Sequence, residues 1–98
     1  MSTTGNEFLQ TLEDVIRQRK KSPSADSNTA KLFAAGAQRI AQKVGEEGVE
    51  LALAALAGDR DETINEAADL LYHLLVLLTY QDIRLAEVVA TLESRHAT

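Results

Sequence analysis

From Ala67 to Leu78 the chain reads AADLLYHLLVLL, and only Asp69, Tyr72 and His73 interrupt the apolar run. A helix apolar on nearly every side has to be buried on nearly every side. The whole chain has 98 residues, which we read as one domain, residues 1–98. A domain of that size buries only about 60–65% of its unfolded surface. Ala and Leu dominate, β-branched and aromatic residues are sparse, and Pro23 is the single proline. The pattern therefore predicts an all-α bundle of four to five helices that cannot cover itself completely. A second copy is the expected cover, so the bundle is completed by dimerisation. The expected state is a homodimer or a higher homo-oligomer, with this helix near the interface.

Phe8, Leu9, Leu12, Val15 and Ile16 recur at helical spacing and predict a first helix from about Asn6 to Lys20. KKSPSADSN forms a loop, in which Asp26, Ser27 and Asn28 are all competent N-caps. A second helical region is expected over about Thr29–Ala57, bent or interrupted at Gly36. Gly58 suits a helix C-terminus, and Asp59 with Glu62 has capping-box spacing for the next helix, ending near Tyr80. A last helix is expected over Arg84–Arg95, with Leu85, Val88, Val89 and Leu92 on one face.

Composition excludes several functions. Cysteine is absent, so disulfides and thiolate metal sites are ruled out. The longest apolar run, LLVLL, is far too short to span a bilayer. MSTTGNEFLQ lacks a basic segment followed by an apolar one, so a cytoplasmic location is expected. The net charge of −5 argues against nucleic-acid binding, which depends on clustered Lys and Arg. If the ligand is itself anionic, a divalent cation is the economical bridge.

The stretch KVGEEGVELALAAL crowds Glu46, Glu47 and Glu50 against an apolar run. At about 100° per residue, Lys43, Glu46, Glu47 and Glu50 fall within roughly 100° around one helix. Glu66, Asp69 and His73 fall within roughly 60° around the next. The short AGDRDE connection makes the two helices antiparallel, and level residues then have numbers with a constant sum. Glu50–Glu66, Glu47–Asp69 and Lys43–His73 share one sum, twice the number at the turn centre near residue 58. Two E-x-x-E/D pairs are thereby set at matched height as a four-carboxylate box, provided the stripes face each other. A lone E-x-x-E is ordinarily a solvated face, and Lys43 one turn before Glu47 is adequately read as an i,i+4 ion pair. Facing carboxylates, however, raise one another's pKa values unless a cation sits between them. Mg²⁺ takes such oxygen ligands together with substrate phosphates. RQRKK over residues 17–21 reads either as a helix C-terminal charge complement or as a phosphate-facing patch.

SADSNTAKLFAAGAQRIAQKVGEEGVELALAAL followed by NEAADLLYHLLVLL resembles the phosphoribosyl-ATP pyrophosphohydrolase family, within the MazG-like all-α nucleotide pyrophosphohydrolases. The likeness runs from about Phe8 to His96. The E-x-x-E and E-x-x-D of the wider group match Glu47, Glu50, Glu66 and Asp69. KVGEEGVE and EAADLLYHLLVLL are more specific to the histidine-biosynthesis enzymes. One departure is Asn28, where relatives are expected to carry an aromatic residue.

The resemblance implies Mg²⁺-dependent hydrolysis of phosphoribosyl-ATP to phosphoribosyl-AMP and pyrophosphate. It makes Glu47, Glu50, Glu66 and Asp69 the expected metal ligands. Glu46 and Glu47 are the candidate catalytic residues, with Glu46 accepting a proton from the attacking water or holding a second metal. Lys31, Arg39, Lys43 and His73 are candidate substrate-binding residues. The following cyclohydrolase step, fused to this domain in many bacteria, is expected on a separate chain. The metal box alone cannot tell phosphoribosyl-ATP from ATP. One of Arg19, Lys20, Lys21, Lys31 and Arg39 is expected to read the extra phosphate. A house-cleaning nucleoside triphosphate pyrophosphohydrolase and a non-catalytic helical interaction module are the alternatives.

Overall fold

Four residues, Ser27, Gly36, Asp59 and Arg84, start helices, and their chemistry explains the topology. The computed structural model describes residues 5–24 and 26–97. Five helices follow one another: α1 (Gly5–Lys21), α2 (Asn28–Ala35), α3 (Ala37–Leu56), α4 (Arg60–Tyr80) and α5 (Leu85–His96). No strand occurs among the described residues.

Of the three candidate caps in the first loop, Ser27 is the one used. Its hydroxyl accepts the Ala30 N–H at 3.1 Å. The expected break at Gly36 is complete. With φ 94° and ψ 178°, Gly36 ends α2 and starts α3, a conformation that L side chains rarely adopt. Gly58, at φ 75°, closes α3 in a Schellman motif. Its N–H reaches Ala55 O at 3.1 Å and the next N–H reaches Ala54 O at 3.3 Å. Asp59 Oδ1 then accepts the Glu62 N–H at 3.0 Å and opens α4. This turn is short enough to lay α3 and α4 antiparallel along their length.

The end of α4 repeats the Schellman pattern with an unusual residue. Asp82 takes the left-handed position at φ 59°. Its N–H bonds Thr79 O at 3.0 Å, and the Ile83 N–H bonds Leu78 O at 2.8 Å. Lys20 of α1 holds this turn. Its Nζ donates to Asp82 Oδ1 at 2.9 Å, Thr79 O at 3.0 Å and Tyr80 O at 3.5 Å. Lys20 thus complements the negative end of α4 rather than only that of its own helix.

The core is small. Ile16, Ile40, Leu75 and Val76 are its fully buried centre, drawn from α1, α3 and α4, with Leu12, Leu32, Phe33, Tyr72 and Tyr80 packed around them. Phe33 and Tyr80 stack with ring centroids 6.4 Å apart. The apolar stretch of α4 is not buried on nearly every side within one chain, since Ala67, Ala68 and Leu71 are exposed. Val89 and Leu92 of the expected apolar face of α5 are exposed too, while Leu85 and Val88 are half-buried.

What fastens α5 is Glu13, a buried carboxylate on α1. Its Oε2 accepts the Leu85 N–H at 2.7 Å and lies 3.5 Å from Arg84 Nε. It therefore satisfies one of the orphan donors at the start of α5, and Glu87 Oε2 takes the Arg84 N–H at 2.9 Å. A charge-assisted bond of this kind contributes about 1.5–3 kcal/mol. Replacing Glu13 by Ala should destabilise the fold by about that amount, a loss of roughly 4–8 °C in Tm per kcal/mol for a domain this size. Hydrogen exchange should show α5 losing protection before α1 to α4, and unchanged α5 protection would contradict the anchor.

Candidate metal and phosphate site

Of the four expected carboxylates, the α3–α4 hairpin brings Glu47, Glu66 and Asp69 together, and Glu50 lies outside that group. Each helix carries its acids on one stripe, and the Gly58–Asp59 turn sets the register. Carboxylate oxygens of Glu47, Glu66 and Asp69 lie within 4.8 Å of one another. Glu47 is buried, Glu66 half-buried and Asp69 exposed, so the cluster opens from the helix seam towards solvent. Glu50 is exposed but close enough to hydrogen-bond with Glu47 and to act on Glu66 by its charge.

The electrostatics of the four differ by neighbour. Burial alone would raise the Glu47 carboxyl. The neighbouring Lys43 and Glu50 side chains, with the positive charge of Lys43, outweigh it and hold Glu47 below the ordinary range. Lys43 Nζ sits 3.3 Å from Glu47 Oε2. Glu50 is pushed up, first by the charge of the adjacent Glu47. Glu66 is pushed up to about 7, first by burial and next by the charge of Glu50. A carboxyl whose folded pKa exceeds its unfolded one favours the fold in its neutral form. Glu66 therefore contributes stability below about pH 4.5 and loses it as pH rises towards 7.

Two oxygens in this seam have no hydrogen-bond partner among the described residues. Glu47 Oε1 and Glu66 Oε1 are buried without a hydrogen bond. Native structures leave few buried polar atoms unpaired, and each needs an explanation. The donor set fits one: hard carboxylate oxygens, converging on one point and open to water on one side, are what Mg²⁺ takes.

Around the cluster, His73 is buried, and its Nδ1–H donates to the Asp69 carbonyl at 2.8 Å. A carbonyl only accepts, so in this bond the proton sits on Nδ1. Tyr72 packs edge-on against the His73 ring, centroids 4.9 Å apart, and its hydroxyl is hydrogen-bonded to Thr29. That bond ties the start of α2 to the helix carrying Glu66 and Asp69. The sequence reading missed it. The signal available was a polar hydroxyl beside His73 in an otherwise apolar helix.

The other expected site residues lie apart. Glu46 is exposed and outside the cluster. Its Oε2 accepts from Gln42 Nε2 at 3.0 Å, and Arg39 Nη1 is 3.9 Å from its Oε1. Glu46 and Glu50 nevertheless line one shallow groove with Gln42, Gly45 and Val49. Lys31 is exposed on α2, with no ion pair or side-chain hydrogen bond among the described residues. Lys20 is committed to the end of α4, as described above.

The profile of the phosphoribosyl-ATP pyrophosphohydrolase family matches residues 9–96. The chain is also similar to histidine biosynthesis bifunctional protein HisIE from several bacteria. The relative from Yersinia pestis is 57% identical over 91% of this chain and 44% of its own length. That from Salmonella typhi is 58% identical over the same shares, and that from Vibrio cholerae 54% identical over 91% and 42%. The chain thus spans less than half the length of the curated relatives it matches. With the family profile covering nearly all of its helices, the chain belongs to the phosphoribosyl-ATP pyrophosphohydrolase family.

Proposed function

We propose that the chain hydrolyses the α–β phosphoanhydride of phosphoribosyl-ATP in a Mg²⁺-dependent reaction, releasing phosphoribosyl-AMP and pyrophosphate for histidine biosynthesis. The observation that carries this reading is the carboxylate cluster with two unpartnered buried oxygens, in a chain of this family. Glu47, Glu50, Glu66 and Asp69 would hold the cation. When bound, Mg²⁺ supplies neutralisation of phosphate charge and a lowered pKa for the attacking water.

The chain's own residues do the rest. Rigid helices fix the carboxylates, which loops would hold less well. Glu66 would hold a cation in its carboxylate form, so its raised pKa would couple cation binding to proton release. Lys43, now paired with Glu47, is freed to meet phosphate oxygens once a cation takes over its role. Arg39 and Lys31, which lie apart from the cluster, are the further cations we assign to the substrate. His73 fixes the backbone at Asp69. Glu46 is the residue we assign to accept the proton of the attacking water, which requires it to leave Gln42. The reading carries with it a cytoplasmic location and a small-molecule partner, in keeping with the net charge of −5.

We also propose that the working unit is a homodimer. Val49, Leu53 and Leu56 of α3 are 60%, 61% and 85% exposed, at i, i+4 and i+7. Ile64 and Leu71 of α4 form a matching exposed stripe. Each such side chain gains about 1.5–3 kcal/mol when fully buried. The radius of gyration, 14.7 Å, also exceeds the roughly 13 Å of a compact domain of this length. Both observations fit a second hairpin packing on the first, as in a four-helix bundle.

Pyrophosphate release from phosphoribosyl-ATP should require Mg²⁺, and it should be far faster than release from ATP or dUTP assayed alongside. Glu66→Gln or Asp69→Asn should lower kcat by at least about a hundredfold, more than loss of a residue that merely orients a ligand. Near-normal turnover in either variant, with helical content intact, would sink the assignment. Independently, sedimentation at micromolar concentration should show a dimer that Leu53→Glu converts to monomer. A wild-type protein that is monomeric and fully active would refute the interface.

A further inference from the structure

Three helix ends meet at the pole of the molecule away from the carboxylate cluster: the C-termini of α1 and α4 and the start of α5. Between them lies a cleft of about 290 Å³, lined by Arg17, Lys20, Lys21, Arg84, Ile83 and the Thr79–Asp82 turn. That volume is near the lower end of small-molecule sites, roughly 300–1,000 Å³. Thr79 lies ten residues beyond Asp69 on α4, or about 15 Å along the helix axis.

Four cations line this cleft in a chain whose net charge is −5. Helix-end electrostatics accounts for only part of that. Lys20 is explained, because all three of its donors go to Thr79 O, Tyr80 O and Asp82 Oδ1. Lys21 ends α1 but lines the same wall. Arg17 is half-buried a full turn before that end, and makes no ion pair or side-chain hydrogen bond among the described residues. Arg84 sits at the N-terminus of α5, where the helix dipole disfavours positive charge. Its Nε approaches Glu13 at 3.5 Å, and its guanidinium keeps further donors unspent. The carboxylates engaged with this group are Glu13, Asp82 and, through the Arg84 backbone N–H, Glu87. Four cations against three carboxylates still leave the group net positive, which favours an anionic ligand.

We infer that this cleft is an anion site that takes a phosphate group. Arg17, Lys21 and Arg84 supply the donors, Lys20 and Asp82 form the fixed wall, and Ile83 offers an apolar surface to whatever carries the phosphate. Two arginine forks suit phosphate geometry better than point charges would. Two sources share this chemistry: a sugar phosphate, such as the phosphoribosyl group of the proposed substrate, and free inorganic phosphate. The first source rests on the proposed function. The site itself does not.

The test is a titration of the whole chain with inorganic phosphate in chelator, followed by amide NMR at constant ionic strength. Without divalent cation the carboxylate cluster repels phosphate, so binding there and turnover are both removed from the readout. Saturable shifts are expected at Ile83, Arg84 and the end of α1. Arg17→Gln and Lys21→Gln should each weaken binding about tenfold to a hundredfold, the effect of one charge-assisted bond. Arg17→Lys, which keeps the charge, should lose less. Ribose 5-phosphate titrated in parallel separates the sources: tighter than inorganic phosphate, it assigns the site to a phosphoribosyl group, and weaker, to free phosphate. Shifts that do not saturate, or that persist unchanged in both Gln variants with native spectra elsewhere, would overturn the site. Failure of hydrolysis in the assay above would leave this result untouched.

Discussion

Carboxylate oxygens of Glu47, Glu66 and Asp69 are held within 4.8 Å of one another by two helices that have no freedom to part. At that spacing like charges in a half-buried seam repel, and the protein answers in two ways. Lys43 neutralises Glu47, and Glu66 keeps its proton to about pH 7. Neither answer satisfies the two oxygens left without partners.

The same hairpin explains why the fold looks unfinished. A small core centred on Ile16, Ile40, Leu75 and Val76 holds α1, α3 and α4 together at one end. The other end of the hairpin projects with Val49, Leu53, Leu56 and Ile64 uncovered. Polar residues fasten the periphery instead of apolar ones. Lys20 caps α4 from α1, and Glu13 caps α5 from α1. One helix therefore organises both chain ends of the bundle through two buried or half-buried charges.

Much of this was legible in the sequence because helices convert spacing into geometry. The antiparallel register set the acids of α3 and α4 on facing stripes from residue numbers alone, and the structure brings Glu47, Glu66 and Asp69 together while Glu50 stays outside. The Gly36 break, the Gly58 turn and the Asp59 cap followed from residue types with one dominant backbone use. What was not legible depended on partners far apart in the chain. Nothing local marks Glu13 as the acceptor for Leu85, or Tyr72 as the partner of Thr29. Lys20 reads as the charge complement of α1, yet it serves α4. Glu46 shares a stripe with Glu47 and Glu50, but Gln42 and Arg39 draw it out of the seam. The apolar run of α4 reads as buried on all sides. In a single chain its outer face is open, because sequence pattern cannot say which molecule supplies the cover.

The central claim is that the seam between α3 and α4 is a divalent-cation site completed by loss of the Glu66 proton. Calorimetric titration of the protein with Mn²⁺ or Mg²⁺, in two buffers of different ionisation enthalpy, tests it most directly. Saturable binding is predicted, with net proton release near pH 6.5 that fades by about pH 8.5, where Glu66 is already ionised. Absence of saturable binding, or binding with no proton release at pH 6.5, would contradict the account.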